Sequence, residues 1–162
     1  SNIIKYYELF GVKSEFQKNK LIIKKDKTFN YPENIIINLN DNPDLAQTII
    51  VTALGLNIPT KLTGLSTLKI KETDRLEAMY KELTGLGASC VIDSESIEIF
   101  KLKNTLNKKY VINTYDDHRM ALAFAPLSII FPLEIHDPDV VSKSFPEFWK
   151  ILEKINFSVE YL

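Results

Sequence analysis

Residues 41–65, DNPDLAQTIIVTALGLNIPTKLTGL, and residues 115–138, YDDHRMALAFAPLSIIFPLEIHDP, carry one pattern twice. Shifted by 73 positions, Asp44 falls on Asp117, Ala53 on Pro126 and Pro59 on Pro132. Each copy reads as a capped helix, a proline break and a short strand. Asn42 is a good N-cap with Pro43 at the first helical position, and Asp116 or Asp117 can cap the later helix. Pro126 falls inside that later helix, where it removes a backbone donor and should kink the axis.

Outward from this pair the periodicity continues. Residues 3–23, 76–99 and 148–162 each read as an amphipathic helix, a turn and an alternating strand. In the middle copy Leu76, Met79, Tyr80, Leu83 and Leu86 recur at helical spacing, and Gly87 supplies the left-handed stop. Gly11 and Asn156 take that place in the other two. Cys90 and Ile92, then Ile97 and Ile99, alternate on either side of the polar turn Asp93-Ser94-Glu95-Ser96. The unit is strand, helix, strand, helix, hairpin (βαβαββ), returning about every 70 to 76 residues.

The fold class is therefore α/β, with helices packed against sheets from several repeats. The units run over 1–37, the end of a truncated repeat, then 38–110 and 111–162. The first copy opens inside its second helix, so the chain is expected to be part of a larger domain.

Composition narrows the function. The 162 residues are 45% hydrophobic and 25% charged, as in a soluble globular protein. Twenty basic residues against twenty-one acidic ones give no overall field for nucleic acid or an anionic membrane, so any anion site must be local. The N-terminus lacks a signal-peptide pattern and no apolar run approaches a membrane span, so a cytoplasmic location is expected. The single Cys90 reads as a strand residue, and His118 and His136 show no metal-ligand spacing; neither metal nor cofactor is expected.

Repeats packed side by side bring the starts of their first helices to one edge. Helix N-termini offer unpaired N–H groups to phosphate or carboxylate. Four charged clusters lie near helix starts: Asp44; Lys71-Glu72-Thr73-Asp74-Arg75; Asp116-Asp117-His118-Arg119; and Lys143, framed by Ser142 and Ser144. The acids alone are equally explained as partners of the helix dipole. Arg75 and Arg119 are not, because a cation in the first turn opposes the dipole unless it grips an anion. Glu72, four before Leu76, would continue the apolar stripe if the helix reached it, making it a candidate proton donor or acceptor. A helix-end histidine such as His118 is as readily structural, and Lys143 as readily a surface lysine.

KETDRLEAMYKELTGLGA (71–88), TYDDHRMALAFAPL (114–127) and DPDVVSKSFPEFWKIL (137–152), in this order and spacing, resemble the C-terminal signature of the 5-enolpyruvylshikimate-3-phosphate synthases. The resemblance implies part of the C-terminal domain of a two-domain enolpyruvyl transferase fold, with the opposite N-terminal domain absent from the chain. It implies cofactor-free transfer of the enolpyruvyl group of phosphoenolpyruvate to the 5-hydroxyl of shikimate 3-phosphate, with phosphate release. By motif position, Asp44 resembles the carboxylate that binds the shikimate hydroxyls and aids removal of the 5-hydroxyl proton. Lys71 resembles the lysine that meets shikimate 3-phosphate, and Glu72 the proton donor to the methylene carbon. Arg75 and Arg119 resemble the pair that grips phosphoenolpyruvate, His118 belongs with them, and Lys143 resembles the lysine holding the leaving phosphate. The chain alone, with half a cleft, is expected to fold but not to turn over. Two alternatives share the scaffold: an enolpyruvyl transferase acting on UDP-N-acetylglucosamine, and a non-catalytic anion-binding module. KETDR together with DDHRMA favours the shikimate enzymes.

Overall fold

The computed structural model describes residues 2–102 and 109–161. The second unit is complete in the expected order. Strand β3 (Ile35–Asn38) leads through a 3-10 turn (Pro43–Leu45) to helix α2 (Ala46–Gly55) and strand β4 (Thr60–Thr63). Helix α3 (Arg75–Gly85) and the hairpin β5 (Cys90–Ile92) and β6 (Ile97–Ile99) follow. Their sheet has the order β3-β4-β6-β5, with β3 parallel to β4 and the other pairs antiparallel. Ahead of it stand helix α1 (Asn2–Glu8) and the antiparallel hairpin β1 (Val12–Gln17) and β2 (Lys20–Lys25), the tail of a preceding unit.

The third unit repeats the first half of the pattern. Strand β7 (Tyr110–Ile112), helix α4 (His118–Phe124), strand β8 (Leu133–Ile135) and helix α5 (Phe148–Lys154) follow in turn, with β7 parallel to β8. The two prolines of the repeat hold equivalent bonds: the carbonyl of Pro59 accepts from Ile35 N at 2.9 Å, and that of Pro132 from Tyr110 N at 3.3 Å. Strands β3 and β7 begin at Ile35 and Tyr110, slightly ahead of the unit starts read from the helices. Lys103–Lys108, at the end of the second unit, lie outside the described residues.

Three left-handed stops stand where the sequence places them, with φ of 75° at Gly11, 91° at Gly87 and 70° at Asn156. Pro126, expected inside a kinked α4, lies just past its end. The α-helix stops at Phe124 and the chain continues as a 3-10 turn over Ala125–Ile129, which needs no i−4 bond from proline. The tighter turn lays Leu127 against Gly55 of α2, where an added Cβ would sit 3.1 Å from the leucine methyl. The strand expected after α5 is not formed. Residues 157–161 keep the alternating sequence, but none of the described residues offers them a ladder partner.

Helix α2 is the centre of the molecule. Ala46, Ile49, Ile50, Val51, Ala53 and Leu54 are all buried, so the helix is covered on nearly every side. It packs against α4, its counterpart in the next repeat, and against β4. Ile35 and Ile37 of β3 and Leu62 of β4 close the core from the sheet side, while Ile36 points outward and is 70% exposed. Each buried Leu or Ile contributes about 1.5–3 kcal/mol of transfer free energy. The lateral packing of α2 on α4 places two equivalent helix starts side by side. Gly64 helps to seat the first: at φ 76° it brings β4's end so close to Asn40 that a Cβ would lie 2.6 Å from the backbone nitrogen.

Candidate anion site at the helix starts

Arg75 opens α3, and its guanidinium is the hub of the edge where the helices begin. The side chain is only 2% exposed. Its Nε donates to Asp117 Oδ2 at 2.6 Å and its Nη1 to Asp44 Oδ1 at 2.9 Å. Its Nη2 donates to Glu72 Oε2 at 2.6 Å and to Asp117 Oδ1 at 3.3 Å. Asp44 and Asp117 are the residues that the repeat superimposes, so the internal symmetry of the sequence becomes a two-sided grip on one arginine. The sequence argument that Arg75 opposes the dipole of its own helix is met by carboxylates of the chain itself. Four of the five N–H groups of a guanidinium are thereby engaged.

Asp44 gathers two more cations. Lys71 Nζ lies 3.4 Å from Oδ1 and Arg119 Nη2 3.4 Å from Oδ2, while Arg119 Nη1 donates to the Asp44 carbonyl at 3.1 Å. Lys71, Arg119 and Asp44 are each about a third exposed, so this rim faces solvent above the buried Arg75–Asp117 pair. Three cations and three carboxylates thus share one cluster.

Glu72 differs from expectation. Helix α3 begins at Arg75, so Glu72 lies in the bend ahead of it and does not extend the buried stripe; its side chain is 42% exposed and held by Arg75. Asp74 is the N-cap, accepting from Glu77 N at 3.1 Å. Asp117 is both cap and anchor, since its Oδ1 also accepts from Arg119 N at 2.9 Å. Asn42 stands before Pro43 as expected but makes no side-chain cap bond, and its Nδ2 is buried without a partner. His118 begins α4, with its Nδ1 buried and 4.0 Å from Asp117 Oδ1. Lys143 ends a 3-10 turn (Pro138–Lys143) and meets Asp116 Oδ1 at 3.0 Å, one residue from Asp117. All seven residues singled out from the sequence therefore lie in this cluster or on its margin. A groove of about 1070 Å³, lined by Phe131, Trp149, Leu152 and Phe157 among others, contains none of them.

Sequence reading assigned Asp117 only a cap, and it passed over Glu82, Asn113 and Tyr115. Glu82, in the third turn of α3, is buried and accepts from Tyr115 Oη at 2.6 Å, Asn113 N at 3.2 Å and Asn113 Nδ2 at 3.3 Å. Tyr115 and Asp116 have φ of 55° and 57°, two successive non-glycine residues in the left-handed region. Such residues cost about 1–3 kcal/mol each and persist only where their surroundings hold them. The one visible signal was the repeat itself, which sets Asp117 opposite Asp44.

Burial, and then the hydrogen bond to Glu82, raise the Tyr115 pKa above its ordinary 10.0. A tyrosine shifted upward holds its proton in the fold, so its contribution to stability is full below pH 10 and declines as pH rises toward the folded value. The expected result is a denaturation midpoint that falls above pH 10 more steeply in the parent than in Tyr115→Phe, read from guanidinium titrations across pH 8–11. Cys90, half-buried in β5, has its thiol pushed up to about 12 by burial and is inert at neutral pH. Among the described residues no helix is long and apolar enough to cross a membrane.

Known proteins resemble the chain over most of its length. The family model for EPSP synthase (3-phosphoshikimate 1-carboxyvinyltransferase) matches residues 3–152. A 3-phosphoshikimate 1-carboxyvinyltransferase of Bacteroides fragilis is 42% identical over 152 residues, which are 93% of this chain and 37% of that protein. One from Buchnera aphidicola subsp. Cinara cedri is 33% identical, over 92% of this chain and 33% of the relative. The chain thus spans little more than a third of the length of these relatives. Among solved structures, EPSP synthase from Acinetobacter baumannii superposes with a TM-score of 0.72 at 21% identity, covering 99% of this chain and 40% of that one. The enolpyruvyl transferase NikO from Streptomyces tendae gives 0.66 at 12% identity, over 98% of this chain and 35% of that one. The fold is that of an enolpyruvyl transferase part, and by family pattern and sequence the chain belongs to the EPSP synthase (3-phosphoshikimate 1-carboxyvinyltransferase) family.

Proposed function

We propose that the chain supplies one wall of a site that moves the enolpyruvyl group of phosphoenolpyruvate onto the 5-hydroxyl of shikimate 3-phosphate and releases phosphate. The observation that carries this reading is the convergence of Lys71, Glu72, Arg75, Arg119 and Asp44 at the shared helix edge. Both substrates are small polyanions, and this edge brings Lys71, Arg75 and Arg119 together beside Asp44 and Glu72. The other wall belongs to the opposite, N-terminal domain, and no metal or organic cofactor takes part.

Each residue has a role in that reaction. Glu72 gives a proton to the methylene carbon of phosphoenolpyruvate, leaving its neighbouring carbon electron-poor. The 5-hydroxyl oxygen attacks that carbon while Asp44 takes the hydroxyl proton. Loss of the methyl proton back to a carboxylate then breaks the carbon–oxygen bond to phosphate, which leaves with the proton that Asp44 took, and the double bond is restored. Lys71 meets the 3-phosphate of the acceptor. Arg119, with Arg75 beneath it, faces the phosphoenolpyruvate anion, and His118 borders that pair. Lys143 meets the departing phosphate. Entry of an anion would release Lys71 and Arg119 from Asp44, freeing that carboxylate to act as a base. Donors of this kind stabilise developing charge by several kcal/mol only where water is excluded, which requires the opposite wall.

Acceptor choice tests the assignment. With phosphoenolpyruvate present, the protein expressed from its complete reading frame is expected to release phosphate on addition of shikimate 3-phosphate and not of UDP-N-acetylglucosamine. Release with the sugar nucleotide alone would overturn it.

A further inference from the structure

We infer that Glu82 is a positioning residue for the anion site, acting through the turn Thr114–Asp117 and not by touching substrate; its consequence for catalysis rests on the function proposed above. Glu82 follows Arg75 by seven residues, two turns of α3, so both project from one buried face of the helix. They grip the same short segment of the next repeat at two points. Arg75 holds Asp117, while Glu82 holds Tyr115 and Asn113.

The segment between these grips is unusual for its sequence. Asp117 N donates to Thr114 O at 2.9 Å, closing a four-residue turn whose central residues, Tyr115 and Asp116, both have positive φ. Turns of that kind are ordinarily built from glycine, asparagine or aspartate. Here a tyrosine occupies the first central position and its hydroxyl ends on Glu82. Asp116 suits the second central position, but a tyrosine has no such preference at the first, so the contact to Glu82 helps to hold it there.

Glu82 is only 6% exposed, and among the described residues no Lys, Arg or His lies within ion-pair distance of it. Its carboxylate is met instead by three donors, all from Asn113 and Tyr115. A buried carboxylate is a poor choice for stability alone, since an apolar side chain of similar size serves as well or better. One satisfied entirely by a single loop fixes where that loop lies. The loop in turn delivers Asp116 to Lys143, Asp117 to Arg75, and the start of α4 with His118 and Arg119. Loss of the Glu82 contact should therefore loosen that whole side of the site together.

The test uses the protein expressed from its complete reading frame, in the parent and the variants Glu82→Ala, Glu82→Gln, Tyr115→Phe and Leu86→Ala. Leu86 is a buried core residue at the far end of α3 and serves as a control for general destabilisation. Hydrogen exchange by mass spectrometry over residues 113–120 is expected to speed up in Glu82→Ala and Tyr115→Phe but not in Leu86→Ala. Turnover should fall about 10- to 100-fold in Glu82→Ala, as for misplacement of catalytic groups by an ångström or less, with Glu82→Gln partly rescued because it keeps one acceptor for Tyr115. The Glu82→Ala/Tyr115→Phe double variant should be no slower than the worse single one. Parent-like exchange over 113–120 in folded Glu82→Ala and Tyr115→Phe would overturn the inference, as would single effects that multiply. If Glu82→Ala does not fold, Tyr115→Phe decides by the same readout. A parent that exchanges as described but turns over neither acceptor refutes the proposed function and leaves the exchange result to judge the tether.

Discussion

Arg75→Met is expected to destabilise the fold by about 3–5 kcal/mol, the range for removing one partner of a buried ion pair. The reason lies in what remains. Asp117 is fully buried, and its two oxygens receive the Arg75 fork and the Arg119 backbone N–H. Without the guanidinium its charge keeps one backbone donor and, among the described residues, no Lys or Arg in contact. Asp44 and Glu72 suffer less, because each is about two-fifths exposed and can turn to water. Arg75→Lys should recover only part of the loss, since one ammonium cannot reproduce a fork spanning three carboxylates. Arg75→Met combined with Asp117→Asn should be more stable than Arg75→Met alone, because the neutral amide retains the capping oxygen without the orphaned charge. Urea denaturation at neutral pH reads all three. A cost below about 1 kcal/mol would mean that the cluster behaves as a surface ion pair.

Much of this arrangement is legible in the sequence because it is local or repeated. Gly11, Gly87 and Asn156 mark left-handed stops, Pro126 marks the end of an α-helix, and the 73-residue shift sets equivalent helices side by side. The residues at the shared edge follow from that packing. What the sequence hides is the pairing inside the edge. Arg75 meets Asp44 and Asp117 across 31 and 42 residues, and nothing in local spacing says that its anions belong to the chain. The Tyr115–Asp116 turn is hidden for another reason: tyrosine does not advertise positive φ, and its hydroxyl is held by Glu82 from a different repeat. Residues 157–161 show the converse. Their alternation is that of a strand, but a strand is made by its neighbour and alternation cannot supply one.

Glu72→Gln is expected to lower turnover about 10²- to 10⁴-fold while leaving binding of shikimate 3-phosphate nearly unchanged, the loss typical of removing a positioned acid–base group. Glutamine keeps the size of the side chain and an oxygen able to accept from Arg75 Nη2, which now reaches Glu72 at 2.6 Å. The cluster should therefore stay assembled. The amide cannot transfer a proton to carbon, so the chemical step alone is affected. Steady-state kinetics of the protein from its complete reading frame, with calorimetric titration of shikimate 3-phosphate, separates the two effects. A non-catalytic anion-binding module on this scaffold would have no turnover to lose. Equal turnover in parent and variant would move the proton donor elsewhere, and loss of binding in step with turnover would make Glu72 a structural partner of Arg75.

On the function proposed above, these residues form one wall of a cleft and work only when it closes. Phosphate release from phosphoenolpyruvate and shikimate 3-phosphate, measured side by side for the isolated 162-residue chain and the protein from its complete reading frame, tests this most directly. Turnover is expected from the complete protein and none above background from the chain alone, whose Lys71, Glu72 and Arg119 stand open to water. Sustained phosphate release by the isolated chain would contradict this.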